Sequence, residues 1–103
     1  MKNRLGALLN LYEKDPKDSF TIYGIGLEYL SLKDFSTAEK YFDILLETNP
    51  DYVPGYMQLA QLKEKLNKIN EAKTIYRKGI EKAMAVGDRK SCTEMEEFLD
   101  ELE

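Results

Sequence analysis

Apolar and small side chains recur every three or four residues along most of this chain, which is the spacing of one face of an α-helix. The first clear run begins at Ile22 and ends at the polar segment LKDF. A second run predicts a helix that stops before Asn49-Pro50, because the residue before a proline disfavours the helical conformation. Ser36 and Glu39 have the spacing of a capping box at its start. Its apolar face carries Ala38, Tyr41, Phe42, Leu45 and Leu46.

This pattern of two helices repeats with a period of 34 residues. The positions that match at this spacing are Pro16 and Pro50; Ala38 and Ala72; Leu8, Phe42 and Tyr76; Ile22 and Tyr56; Ile25 and Leu59; and Gly26 and Ala60. In the second unit, the spacing predicts one helix from about Pro54 to Leu66 and, after NKIN, another from about Glu71 to Val86. The repeat therefore predicts an all-α protein made of helix pairs.

The repeated unit resembles a tetratricopeptide repeat, which has 34 residues, two antiparallel helices and the pattern aromatic-x-x-Leu-Gly-x-x-Tyr, Ala-x-x-x-Phe and Pro. The first unit supplies Ile22, Ile25, Gly26, Tyr29, Ala38, Phe42 and Pro50. The second supplies Tyr56, Leu59, Ala60, Ala72 and Tyr76, but has Lys63 in place of the tyrosine and Met84 in place of the proline. The resemblance implies an α-α superhelix of antiparallel helix pairs, with two full repeats and a capping helix at each end.

Two glycines in the segment TIYGIGLEYL require a reason, because each costs about 1 kcal/mol relative to alanine inside a helix. The resemblance implies that Gly26 and Ala60 are the small residues at which the two helices of one unit approach closely. A dinucleotide-binding loop would need a third glycine and a preceding strand, whereas Tyr29 occupies the third position. The pattern provides no reason for Gly24.

The predicted boundaries describe one domain over 1–103, with a capping helix at 1–16, repeats at 19–52 and 53–86, and a capping helix at 88–103. Terminal units of a repeat array are atypical because they cannot bury their end faces alone. If the loop around Gly87 contains two more residues than the repeat pattern, Glu96 falls in the register of Gly26. With a capping helix at each end, the chain is expected to be complete. The last helix has an apolar face of Cys92, Met95, Phe98, Leu99 and Leu102.

Composition excludes several classes of function. With 103 residues and 43% hydrophobic content, the chain can bury a single modest core. The net charge of −4 argues against a nucleic-acid partner. No histidine and one cysteine leave too few ligands for structural zinc, and a lone thiol fits the reducing cytoplasm. The short N-terminal apolar run LGALLNLY is neither a convincing signal peptide nor a membrane span. No cofactor is expected.

Three sets of residues have both a functional and a structural interpretation. Cys92 is a possible nucleophile near Arg89 and Lys90, but its place on an apolar face favours a packed, inert thiol. The acidic tail, Glu94, Glu96, Glu97, Asp100, Glu101 and Glu103, is either a solvated helix face or a weak site for a basic partner. The basic run Lys73, Arg77, Lys78 and Lys82 lies on one predicted helix, and the net negative charge of the chain argues against nucleic-acid binding there. Arg77 and Glu81 have the spacing of an i,i+4 ion pair.

The strongest candidate for a binding site is a stripe on the first helix of each unit, which in repeats of this kind lines the concave groove. The predicted groove residues are Phe20, Tyr23, Leu27 and Leu30 in the first unit and Met57, Gln61 and Glu64 in the second. Exposed apolar patches of this kind mark binding sites, unless another part of the chain, such as the last helix, covers them. The subtype of the family that clamps an acidic C-terminus places lysines and asparagines in this groove, whereas Tyr23 and Leu27 stand here.

The sequence therefore predicts a non-catalytic protein-interaction module that binds an apolar or amphipathic peptide segment of a partner protein, with no nucleic acid and no membrane involved. The alternative is a homodimer that associates through the same stripe, since symmetric dimers dominate homo-oligomers. An enzyme is not expected, because no set of titratable groups converges. Only Glu28, Tyr29 or Glu64 in a deep polar cavity would favour one.

Overall fold

A computed structural model describes residues 3–103, and in that range the chain forms six α-helices and no strand. The helices are α1 (Arg4–Lys14), α2 (Ser19–Ser31), α3 (Phe35–Thr48), α4 (Val53–Lys65), α5 (Ile69–Val86) and α6 (Arg89–Leu102). The predicted all-α fold is confirmed. The chain divides into two compact units between Pro50 and Asp51, with α1, α2 and α3 in the first and α4, α5 and α6 in the second.

The period of 34 is also present in the backbone. Lys33 and Asn67, which are 34 residues apart, both have left-handed conformations, with φ of 62° and 61°. In each turn, this residue donates its N–H to the carbonyl three residues back, at 3.0 and 2.9 Å. The next residue donates to the carbonyl five residues back, at 3.0 and 2.8 Å. This pair of bonds is a Schellman motif, which ends α2 and α4 and turns the chain into the following helix.

The predicted capping box of Ser36 and Glu39 is wrong. α3 starts at Phe35, and Asp34 is its N-cap, with Oδ1 accepting the N–H of Thr37 at 3.3 Å. The Schellman turn ends at Asp34, so α3 begins directly after this residue and Ser36 lies inside the helix. Aspartate caps a helix as well as serine does.

In the first unit, the two glycines of α2 face different helices. A Cβ atom on Gly26 would lie 2.6 Å from Cε1 of the buried Phe42 ring in α3, so the predicted close approach at Gly26 is confirmed. A Cβ atom on Gly24 would lie 3.3 Å from Cδ1 of Leu8 in α1. Gly24, which the repeat pattern does not explain, therefore lies under the N-terminal helix.

Three tyrosines and one ion pair also join the helices of the first unit. Tyr41 stacks on Tyr29 with ring centroids 5.7 Å apart, and meets Tyr12 of α1 edge-on at 5.8 Å. Burial raises the pKa of Tyr41, and Tyr29 and Tyr12 raise it further. Nε of Arg4 lies 2.8 Å from Oε2 of Glu28. This exposed pair contributes about 0–1 kcal/mol, so aromatic packing is the larger link between these helices.

In the second unit, α5 packs against both α4 and α6. A Cβ atom on Gly79 would lie 2.6 Å from Sδ of Met95 and 2.7 Å from Cβ of Tyr56. Tyr76, which is fully buried, stacks on Phe98 with ring centroids 5.8 Å apart. Glycine at position 79 therefore allows α4 and α6 to approach the same turn of α5.

The two departures from the repeat pattern are accommodated differently. Lys63 is only 8% exposed, and its Nζ lies 2.8 Å from Oε1 of Glu71 at the start of α5. A buried cation of this kind is tolerated only with a paired carboxylate. Met84 lies at the end of α5 and is 67% exposed, so no packing constraint requires proline there.

The predicted apolar face of the last helix is confirmed in α6. Met95 is fully buried, and Cys92, Phe98, Leu99 and Leu102 are half-buried. α5 ends at Val86 and is followed by its C-cap Gly87, whose φ is 76°. Asp88 caps α6 by accepting the N–H of Ser91 at 3.1 Å. Glu96 is exposed.

The two glycines of α2 predict a contrast between matched substitutions. Gly26→Ala places a methyl group against the buried Phe42 ring and is expected to lower the free energy of unfolding by about 1–3 kcal/mol. Gly24→Ala requires only a small movement of a Leu8 methyl group, and the gain in helix propensity of about 1 kcal/mol offsets it. Urea denaturation of both variants measures the difference. Equal losses in the two variants would contradict this assignment of the two glycines.

Candidate functional site

Helix geometry divides the surface of α2 into two arcs. Successive residues are about 100° apart around an α-helix, so Gly24, which faces α1, and Gly26, which faces α3, point in nearly opposite directions. One arc between them carries Ile22 and Ile25, which are fully buried. The other arc, named the α2 contact arc, carries the four groove residues predicted for this unit, Phe20, Tyr23, Leu27 and Leu30.

The α2 contact arc is apolar and incompletely covered. Phe20 is 70% exposed, while Tyr23, Leu27 and Leu30 are half-buried. The ring of Tyr23 lies against Phe42 of α3, with centroids 6.2 Å apart and planes tilted by 58°. The arc therefore combines an aromatic ring supported by the core with a phenylalanine exposed to solvent.

No charged side chain lies on the α2 contact arc. α2 contains no lysine or arginine, and its single acidic residue is Glu28. Helix geometry places Glu28 on the side of Gly24, towards α1, where it pairs with Arg4. The α2 side of this arc therefore offers a ligand apolar and aromatic surface and the hydroxyl of Tyr23, without charge.

In the second unit, Met57, Gln61 and Glu64 form one row on α4, named the α4 row, and all three are half-buried. They follow Tyr23, Leu27 and Leu30 by 34 residues. Oε2 of Glu64 accepts a hydrogen bond of 2.5 Å from the hydroxyl of Tyr76. Burial of Tyr76 and this hydrogen bond to Glu64 raise the pKa of Tyr76, so the hydroxyl remains a donor. The α4 row is thus more polar than its counterpart on α2.

A cleft that the sequence did not indicate lies between the end of α5 and the first half of α6. Its volume is about 390 Å³, and its lining includes Met84, Arg89, Cys92 and Glu96. Desolvation of the thiol and the nearby Glu96 carboxylate raise the pKa of Cys92, and Arg89 lowers it by less. The raised pKa lowers the thiolate fraction at neutral pH and with it the reactivity of the thiol, which favours the inert interpretation. The one feature of the sequence that could have indicated this cleft is Met84, which replaces the proline of the repeat pattern and lines the cleft.

The charged residues of α5 and α6 pair differently from the prediction. The predicted pair of Arg77 with Glu81 is wrong, because Nη2 of Arg77 pairs with Oε2 of Glu103. The packing of α6 on α5 brings the carboxyl end of α6 beside Arg77. Nζ of Lys82 lies 3.4 Å from Oδ1 of Asp51. Part of the basic run and one residue of the acidic tail are therefore engaged within the second unit.

Other kinds of site find little support. Within residues 3–103, no group of three or more cysteine, aspartate or glutamate side chains is placed to hold a metal ion. No described helix combines the length and the apolar character needed to cross a bilayer. The three residues considered for catalysis have separate partners: Glu28 with Arg4, Tyr29 with Tyr41, and Glu64 with Tyr76.

The environment of Cys92 predicts slow alkylation. Because its pKa is raised, the thiolate fraction at neutral pH is smaller than in an unfolded chain, and iodoacetamide is expected to react faster in urea. Glu96→Gln removes the nearby negative charge, so it is expected to lower the pKa and speed alkylation of the folded protein. Rates measured from pH 7 to pH 10 test this. A variant with an unchanged pH profile would contradict the role of Glu96.

Solved structures similar to this chain include close and distant relatives. A tetratricopeptide repeat domain protein from Salinibacter ruber is 37% identical, covers 86% of this chain and 90% of its own, and has a TM-score of 0.82. The TPR2B domain of yeast Sti1, in its complex with pHsp70, is 16% identical over 95% of this chain and 78% of its own, with a TM-score of 0.89. PcrH, in complex with the chaperone binding region of PopD, is 14% identical over 95% of this chain and 74% of its own, with a TM-score of 0.89.

The low identity of the Sti1 and PcrH structures limits that comparison to the fold. The comparison with curated proteins gave no match. The family model described as Tetratricopeptide repeat matches residues 21–52 and 53–81, which together are more than half of the chain. With this match and the relative from Salinibacter ruber, the chain belongs to the tetratricopeptide repeat family.

Proposed function

We propose that this chain is a non-catalytic protein-interaction module, and that the α2 contact arc binds an apolar or amphipathic segment of a partner protein. The observation that carries the proposal is Phe20, which is 70% exposed at the start of an arc without charge. Exposed apolar surface of this kind is costly in water and typical of binding sites.

The chemistry of the arc defines the class of partner. Leu27 and Leu30 offer apolar surface, and Tyr23 adds a large ring with a polar tip, a combination that is frequent at the energetic centre of protein interfaces. An acidic peptide terminus would find no cation on α2. The arc therefore favours apolar side chains over carboxylates.

The comparisons support an interaction role in general terms. The Sti1 domain and PcrH, which share the fold, are both seen in complexes, with pHsp70 and with a region of PopD respectively. The α4 row occupies the same register positions in the second repeat as Tyr23, Leu27 and Leu30 in the first. For this reason, we include Met57, Gln61 and Glu64 in the proposed peptide-binding groove. The cytoplasmic location and a scaffolding role stay predictions.

The second candidate is self-association through the α2 contact arc. It is favoured by the exposure of Phe20, because contact between two copies of this arc would remove the ring from water. Sedimentation from micromolar to near-millimolar concentration distinguishes the two candidates. A monomer throughout leaves the arc available for a partner. A mass that rises with concentration and falls again in Leu27→Asp identifies the homodimer.

The interaction proposal predicts that Tyr23→Ala and Leu27→Asp weaken binding by about tenfold or more, because truncation or charging of a central apolar contact has this effect. The probe is a set of peptides selected from a random phage-displayed library on the native chain. Their affinities for each variant are measured by fluorescence anisotropy, and circular dichroism establishes that helical content is retained.

Leu32→Asp is the matched control, because Leu32 is an exposed leucine of the same unit that lies beyond the end of α2. It is expected to bind the selected peptides as the native chain does. If Tyr23→Ala and Leu27→Asp bind with unchanged affinity, the site lies elsewhere and the proposal fails.

A further inference from the structure

We infer that the α4 row selects a partner segment with a basic side chain, which pairs with Glu64. The inference rests on the proposed function and specifies the partner further, because the α2 contact arc has no charge, whereas the α4 row has an anion. It depends on three features of the second unit: the orientation of the Glu64 carboxylate, the position of the nearby cations, and the neighbours of Glu64 on the row.

The orientation of the Glu64 carboxylate is set by Tyr76. Oε2 accepts the Tyr76 hydroxyl at 2.5 Å, and the Tyr76 ring is fully buried and stacked on Phe98. The hydrogen bond uses Oε2, so the carboxylate has Oε1 as a second acceptor. A hydrogen bond to a carboxylate from a rigid donor reduces the entropy that the side chain loses when a ligand binds. Glu64 therefore presents an oriented acceptor oxygen.

No cation of α4 neutralises this carboxylate. Lys63 and Lys65 flank Glu64 in sequence, so helix geometry turns each of them about 100° away from it. Lys63 pairs with Glu71 instead, at 2.8 Å. Lys65 is exposed, one helical turn after Gln61, on the side away from Glu64. The two lysines that flank Glu64 on α4 therefore leave its charge available to an incoming group.

The neighbouring side chains suit a long basic residue. Met57 is a flexible apolar side chain that adapts to the aliphatic stem of lysine or arginine, and such stems bury well while the charged head remains polar. Gln61, one turn from Met57, offers an amide oxygen as a further acceptor. The α4 row has a carboxylate and an amide oxygen as acceptors and no cationic side chain. A cation is therefore complementary to the row, whereas an anion is not.

The same position is apolar in the other unit. Leu30 stands 34 residues before Glu64, in the same register of the repeat, and no charged residue of α2 lies on the arc around it. Selection for a basic residue is therefore a property of the second repeat and not of the family pattern, which both repeats share.

The test compares peptides selected from one random phage-displayed library on the native chain and on Glu64→Lys and Glu64→Gln. The native chain is expected to enrich lysine and arginine, Glu64→Gln to lose that enrichment, and Glu64→Lys to enrich aspartate and glutamate. A selected basic peptide is expected to bind Glu64→Gln about tenfold more weakly, because a charge-assisted hydrogen bond is lost. Added salt is expected to weaken its binding to the native chain more than to this variant.

Glu64→Gln is nearly isosteric and keeps an acceptor for Tyr76, so it separates the charge from the fold. Glu81→Lys is the control for net charge, since Glu81 is an exposed residue of α5 outside the row, and it is expected to select the same peptides as the native chain. If selected peptides depend on Leu27 but have the same charge on the native chain and on Glu64→Lys, this inference is overturned and the proposed function stands. If no selected peptide depends on Tyr23 or Leu27, the proposed function itself fails.

Discussion

The contact between Gly26 and the Phe42 ring is the constraint on which the first unit depends. The ring occupies the space where any Cβ atom would lie, so α3 approaches the backbone of α2 directly. Once Gly26 faces α3 and Gly24 faces α1, the rotation of α2 about its axis is determined. That rotation leaves Phe20, Tyr23, Leu27 and Leu30 on the remaining arc. The candidate binding surface is therefore a consequence of how two glycines pack.

The second unit repeats the backbone plan with different chemistry. Its helices are held together by Gly79, by the stack of Tyr76 on Phe98, and by the pair of Lys63 with Glu71. Because Tyr76 has a hydroxyl where Phe42 has none, the position equivalent to Leu30 accommodates Glu64 as its hydrogen-bond partner. The difference between Phe42 and Tyr76 in the core is thus linked to the difference between Leu30 and Glu64 on the candidate binding surface.

The features that follow from a sequence period were predicted correctly. The predictions were wrong where several polar side chains can serve as the partner of one group. The 34-residue repeat predicted the helix pairs, the family resemblance predicted the role of Gly26, and helical spacing predicted the apolar face of α6. The capping box failed because Asp34 reaches the capping position before Ser36. The pair of Arg77 with Glu81 failed because the packing of α6 offers Glu103 instead. Both errors concern polar side chains, whose alternative partners have similar energies and are chosen by small differences in position.

The sequence by itself determined the family, the six helices and the residues that the repeat places on the first helix of each unit, since helical periodicity and a 34-residue spacing are local properties that can be counted. Only the tertiary structure decided why Gly24 is a glycine, which carboxylate Arg77 meets and how Glu64 is oriented. Each of these depends on an atom from another helix, Leu8, Glu103 or Tyr76, whose approach is fixed by packing and not by spacing along the chain.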